Sequence, residues 1–286
     1  MNMQTKASFK KEISAFTRTK KFLIIACVFI GLAVFDPLML RGTGLLIDAM
    51  NTIEEIDMSG LGDFVNDAPA SVGVYSTISD LALIGLLIFL LMMNPFAGGE
   101  QKKRSIIIPR TSGLSSPSYL LPKFIVYPAA AFVLSVISGF VSYAVSVLIF
   151  DTNDIVFTNV LLGGALLGVY LMMFVCFHLC LGTATGRAGM SSAVCIVGAW
   201  ILSTLFALIG MTDIFNPFTM NTMAAAVAGG MHKEAIVATS ELIYYETGEI
   251  IATVLIALAA MVLVYFIALF AQNAKRIDNS GNEVLI

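Results

Sequence analysis

The sequence predicts an all-α membrane protein: six transmembrane helices behind an N-terminal amphipathic interfacial helix, with both termini cytoplasmic. Three observations predict it. The 286 residues are 58% apolar and only 12% charged, about half the charge of a soluble domain. Six stretches are long and apolar enough to cross a bilayer, which takes roughly 20 residues. Fourteen of the sixteen Lys and Arg residues then fall on one side of the membrane, and Lys/Arg asymmetry sets orientation.

The chain begins with a basic stretch of about twenty residues that lacks a small-residue cleavage site before or within the following apolar run, so that run reads as a retained first span. Within residues 1–21, Phe9, Ile13 and Phe16 are spaced i, i+4, i+7 among Lys and Arg. That is the pattern of a helix lying in the inner headgroup region.

The spans follow as Phe22 to Leu40, Asp80 to Ala97, Phe124 to Phe150, Ile155 to Gly182, Ser191 to Met211 and Ile250 to Gln272. Together they make a six-span transmembrane domain over 22–272, ending in a cytoplasmic tail, 273–286. The extracellular segments are 41–79 and 213–249, which hold most of the acidic residues, from Asp48 to Asp67 and from Glu234 to Glu249. In the second of them, Thr219 to Ala228 is apolar but too short to cross, which suits a re-entrant or interfacial helix. Gly229 and Gly230 would end it, and Lys233 to Tyr245 reads as a further amphipathic helix.

Residues 98–123 form a basic cytoplasmic segment broken by prolines, "GGEQKKRSIIIPRTSGLSSPSYLLPK". "EQKKRSIIIP" reads as a short helix stopped near Pro109, with Ile106, Ile107 and Ile108 as its contact face. Pro117 and Pro122 stiffen the re-entry into the third span.

Chemistry-bearing motifs are few. The chain contains no G-x-S-x-G, H-E-x-x-H or P-loop pattern, so any ATP is expected on another polypeptide. In "CFHLC", Cys176 and Cys180 share a helix face while His178 points away, so the three cannot converge on a metal. All four cysteines lie in apolar runs and read as small packing residues. "EEID", Glu54 to Asp57, has no histidine nearby in sequence. "GALLG", Gly164 to Gly168, suits close helix packing, and "GTATG", Gly182 to Gly186, suits the turn after the fourth span. His178 and Asp36 stand near span ends, so the spans hold almost no ionisable group. This weighs against an ion- or proton-coupled carrier. A non-transporting scaffold or sensor subunit is the other alternative.

The order of these parts resembles the permease subunit of ABC-2 type ATP-binding cassette transporters. The likeness is most specific after the second span: an acidic residue (Glu100), a basic run (Lys102 to Arg104), a proline turn (Pro109, Arg110), then Tyr119 and Lys123 entering the third span. The sequence departs from that pattern at Ser105, where glycine is common, and at the three isoleucines. The turn after the fourth span and "FNPF", Phe215 to Phe218, are looser likenesses. The resemblance implies that Glu100, Lys102, Lys103, Arg104, Ile107, Pro109, Tyr119 and Lys123 couple the spans to a separate ATPase. It implies two ATPase copies carrying ATP and Mg, no cofactor or metal on this chain, and a second permease subunit, identical or related. The chain itself is then not an enzyme. The setting is a bacterial plasma membrane, and the activity is transport, outward, of an amphipathic or hydrophobic cargo such as a peptide or drug.

Overall fold

A computed structural model of the chain describes residues 3–51, 69–100, 113–150, 155–208, 215–230, 245–277 and 283–285. Six of its helices are long and apolar enough to span a membrane, which makes the chain a multi-pass membrane protein. Helix α1 covers Met3–Thr17, and α2 covers Lys20–Asn51. The second span, α3, runs Ala70–Gly99 and the third, α4, Ser116–Ile149. Then come α5, Phe157–Thr185, and α6, Ala188–Leu208. A short helix α7, Met220–Ala228, precedes the last span, α8, Thr247–Asn273. Two three-residue strands, β1 (Lys275–Ile277) and β2 (Glu283–Leu285), pair antiparallel in the tail.

Several spans begin earlier or end later than hydropathy predicts, and the reason is where their faces point. The second starts at Ala70 instead of Asp80. Its first turns, "ASVGVYSTISD", are too polar to score as lipid-soluble. They bury Ala70, Ser71, Gly73, Val74, Thr77 and Ile78 against protein, not lipid. The third starts at Ser116, eight residues before Phe124. Ser115 caps it by accepting from the Ser118 N–H, and Pro117 takes a first-turn position, where its missing N–H costs nothing. In α3, Leu81–Gly85 and Pro95–Gly99 wind as single π-helical turns. Such wide turns interrupt α-helices, and Pro95 has no N–H to offer the α-helical ladder.

Helix α5 is the centre of the bundle. In its most apolar stretch 72% of the residues are buried, against 22% in α6 and in α8. It meets its neighbours through glycines. A Cβ on Gly163 would stand 2.5 Å from the Ala228 Cβ of α7, and one on Gly168 would stand 2.6 Å from the Phe132 ring of α4. Gly164 faces the α4 backbone at Ser135 and Val136, and the Ser135 hydroxyl donates to the Gly164 carbonyl at 2.8 Å. Lipid tails are as apolar as leucine, so close packing and interhelical hydrogen bonds hold such helices together. The expected packing role of "GALLG" is met in full.

"GTATG" serves two purposes. Gly182 still lies within α5, against the end of α3: its Cβ would be 2.6 Å from the Ala97 carbonyl oxygen, and a Cβ on Gly98 would be 2.6 Å from the Gly182 carbonyl oxygen. Gly186 ends α5 in the left-handed region at φ 67°, a conformation glycine adopts without steric cost.

Helix α7 is buried within the bundle. Asn216 accepts from the Phe218 N–H, setting a 3₁₀ turn at Pro217–Thr219 that leads into it. Phe218 lies against Phe174, Phe177 and Phe206, while Ala224 and Ala228 lie on Gly163. Phe174 and Gly163 are eleven residues apart on α5, about 16 Å along its axis, so the turn and α7 together rise along rather more than a third of its 29 residues. Gly229 and Gly230 end it, Gly230 at φ 63°. The expected helix at 233–245 lies largely outside the described residues, which resume at Tyr245.

The glycine contacts predict an asymmetry. Gly182→Ala should cost on the order of 1–3 kcal/mol through overpacking against backbone. Gly198→Ala, whose Cβ meets open space, should leave stability unchanged. Thermal melts of the two detergent-solubilised variants would check this.

Candidate functional site

The site forms where α1, the end of α3 and the start of α4 converge. Helix α1 turns Thr5, Glu12 and Phe16 toward the protein. Phe16 packs edge-on against Phe22, Phe96 and Tyr127, with ring centroids 5.2, 6.5 and 5.4 Å away. Phe9 is half-buried and Ile13 is exposed. The three residues expected to share one lipid-facing stripe therefore divide, and Phe16 belongs to the protein core. The buried stripe is Thr5, Glu12, Phe16 because each finds a partner there. The Tyr127 hydroxyl donates to the Glu12 carboxylate, and the Thr5 hydroxyl pairs with Ser118 at 3.1 Å.

At the centre is Lys123, whose side chain is fully buried. Its ammonium donates to Glu100 Oε2 at 2.6 Å and to the Phe96 carbonyl at 2.9 Å, and it lies 4.6 Å from the Tyr119 ring centroid. An ammonium has three donors and no acceptor. Here a carboxylate, a carbonyl and an aromatic face surround it, which is what a buried cation requires. Glu100 is saturated in turn: the Tyr119 hydroxyl donates to Oε2 at 2.7 Å, and Lys11 of α1 donates to Oε1 at 3.0 Å. Burial alone would push the Glu100 carboxyl up. The Lys123 charge, the hydrogen bonds from Lys123 and Tyr119, and Lys11 outweigh it and hold the group down at about 2. Beside this network a cavity of about 300 Å³ opens between α1 and the start of α4, with Lys11, Glu12 and Tyr119 in its wall.

Glu100, Tyr119 and Lys123, picked out from the sequence, are thus brought together. Lys102, Lys103, Arg104, Ile107 and Pro109 lie outside the described residues. Lys11, Glu12, Phe96 and Tyr127 were not anticipated. Glu12 carried the one available signal, a single acid in the basic stretch before the first span.

Two other groups of residues singled out from the sequence lie elsewhere in the bundle. His178 is buried, and the Ser191 hydroxyl donates to the His178 carbonyl at 2.6 Å. That uses the hydroxyl's one proton, so His178 Nδ1 is the donor in its 2.8 Å contact with Ser191. Among the described residues no three His, Cys, Asp or Glu side chains gather as metal ligands. The expectation of spans nearly free of ionisable groups is corrected. Because α3 begins at Ala70, Asp80 lies inside it, and Asp36 lies inside α2 and is 8% exposed.

Comparison of the chain with protein-family models, with curated proteins and with solved structures gave no match.

Glu100→Ala would leave Lys123 buried and unpaired, which should destabilise the protein by about 3–5 kcal/mol. Adding Lys123→Met should recover much of that loss, and a double-mutant cycle of melting temperatures reads it. Because the Glu100 carboxyl lies below its ordinary 4.5, its contribution is complete above that pH. The contribution falls away as pH drops from there through about 2, so Glu100→Gln should flatten that part of the stability profile.

Proposed function

We propose that the chain is the membrane-spanning permease subunit of an ABC-2 type ATP-binding cassette transporter in a bacterial plasma membrane. It exports an amphipathic or hydrophobic cargo, such as a peptide or drug, at the expense of ATP hydrolysed on a separate partner. The single observation that carries the reading is the clamp at Glu100. This carboxylate ties the exit of α3 to the entry of α4 through Lys123 and Tyr119, and to α1 through Lys11. A segment that receives force from an ATPase needs stiff ends, since a compliant base would absorb the stroke. In sequence, Glu100 of this clamp precedes residues 101–112, and Tyr119 and Lys123 follow them. The close approach of Gly98 to Gly182 ties it further to the end of α5.

In this reading both termini and the 98–123 segment face the cytoplasm, in keeping with the Lys/Arg separation. Two ATPase copies hold ATP and Mg and dock at Lys102, Lys103, Arg104, Ile107 and Pro109. A second permease subunit, identical or related, completes the assembly. The lipid-facing surfaces of α6 and α8 supply room for that subunit. A second reading, an ion- or proton-coupled carrier, is favoured by one observation, the pair of carboxyls inside α2 and α3.

The test is purification of the tagged chain from its native membranes with assay of bound ATPase activity. A P-loop ATPase should accompany the wild type, and Arg104→Ala should reduce that association while the chain still inserts. Purification without an ATPase would sink the reading.

A further inference from the structure

Away from the clamp, three helices bring oxygen atoms together deep in the bundle. Asp36 is sixteen residues along α2 from Lys20, about 24 Å in rise, which places it within a hydrocarbon core about 30 Å thick. The Asp36 carboxyl hydrogen-bonds Thr77 of α3 and feels the charge of Asp80, one helical turn further along α3. The Thr77 hydroxyl has one proton to share between Asp36 and the Gly73 carbonyl 3.0 Å away, and it accepts from Ser142 of α4 at 2.9 Å. Ser146 lies one turn beyond Ser142 and is fully buried.

Two oxygens in this cluster are left over. Asp36 Oδ2 and Ser146 Oγ are buried and have no hydrogen-bond partner among the described residues. Their stretches of α2 and α4 approach the same glycine of α3, Gly73. Ser146 Oγ stands 3.1 Å from where a Cβ on Gly73 would be, and Pro37, the residue after Asp36, stands 3.4 Å from that point. Glycine at 73 lets α2 and α4 come this close to α3. A buried hydroxyl and a buried carboxyl without partners are costly, and no Lys or Arg makes an ion pair with Asp36 among the described residues. The titratable neighbour from α3 is Asp80; Tyr75 stands on the far side of that helix from Gly73 and Thr77. The segment Leu81–Asn94 carries no titratable group; α4 brings the hydroxyls of Ser142 and Ser146 to the cluster, and its Tyr143, three residues before Ser146, packs on Phe157.

We propose that this cluster binds one small monovalent cation, a proton or a sodium ion, between α2, α3 and α4. The donors are all oxygen: the Asp36 carboxylate and the hydroxyls of Thr77, Ser142 and Ser146, with Asp80 adding negative charge. Hydroxyl and carboxylate oxygens suit a hard cation, and an ionisable group within a membrane span marks an ion or proton path. A cation lodged there joins three helices that otherwise meet through one chain of hydroxyls. The site exists whether or not an ATPase drives the protein, and the measurement needs no partner.

The measurement is thermal unfolding of the purified chain, followed by the fluorescence of Trp200, its single tryptophan. Sodium chloride is compared with choline chloride at matched ionic strength, and mildly acidic with mildly alkaline buffer. A sodium-dependent rise in melting temperature of about 2–4 °C that is lost in Asp36→Asn assigns sodium. A rise of that size on acidification, likewise lost in Asp36→Asn, assigns the proton. If neither condition shifts the wild type, or the shifts persist in Asp36→Asn, the proposal is overturned. Should Asp36→Asn fail to fold, Ser146→Ala takes its place: a reduced shift supports the site, and an unchanged one overturns it.

Discussion

The arrangement of this bundle depends on one buried cation. Lys123 lies seven residues into α4 with its side chain fully buried, and the ammonium is stable there only if other groups replace its hydration. Glu100 must therefore stay at the exit of α3, the Phe96 carbonyl must stay exposed by the π turn at Pro95–Gly99, and Tyr119 must lie across the ammonium. Glu100 then has an oxygen to spare, and it recruits Lys11. The docking of α1 follows from that surplus as much as from Phe16. A buried pair of this kind is weak as a source of net stability, yet severe when broken. It fixes geometry by making other geometries expensive.

The same logic separates what was legible in the sequence from what was not. The six spans could be read because hydropathy is a local property, and Glu100, Tyr119 and Lys123 were singled out by the resemblance of the loop after the second span. Span ends could not be read where polar residues are buried in protein. The run Ala70–Asp80 looks like a loop on a hydropathy scale, but Thr77 and Ser71 face other helices and not lipid. That one displaced boundary put Asp80 at the very start of the span and so concealed that it lies well inside the helix, near Asp36. The stripe on α1 misled for a related reason. Apolar spacing pointed to Phe9, Ile13 and Phe16, while the face that docks is chosen by Glu12, whose partner Tyr127 lies 115 residues away. No local pattern encodes a partner at that distance.

Two kinds of contact share the work of holding the helices. At the basic end, charge and hydrogen bonds lock α1, α3 and α4. Along α5 the contacts are made by missing side chains, at Gly163, Gly164, Gly168 and Gly182. The first kind loses strength if a proton or a side chain is changed. The second is insensitive to pH and salt and fails only when volume is added. The clamp at Glu100 and the backbone contact of Gly98 with Gly182 lie within two residues of each other on α3, so both kinds act on the same helix end.

The length of α4 has a consequence for the bilayer itself. Its 34 residues make a rod about 51 Å long, whereas the hydrocarbon core is about 30 Å thick. Even tilted by about 40°, the upper end of the usual range, the rod still spans about 39 Å along the membrane normal. At least two turns must therefore stand among the lipid headgroups. The sequence indicates which: the first turns hold Ser116, Ser118 and Tyr119, and the hydroxyls of Ser118 and Tyr119 are taken up by Thr5 and Glu100, so this end of the rod leaves the hydrocarbon wrapped in protein.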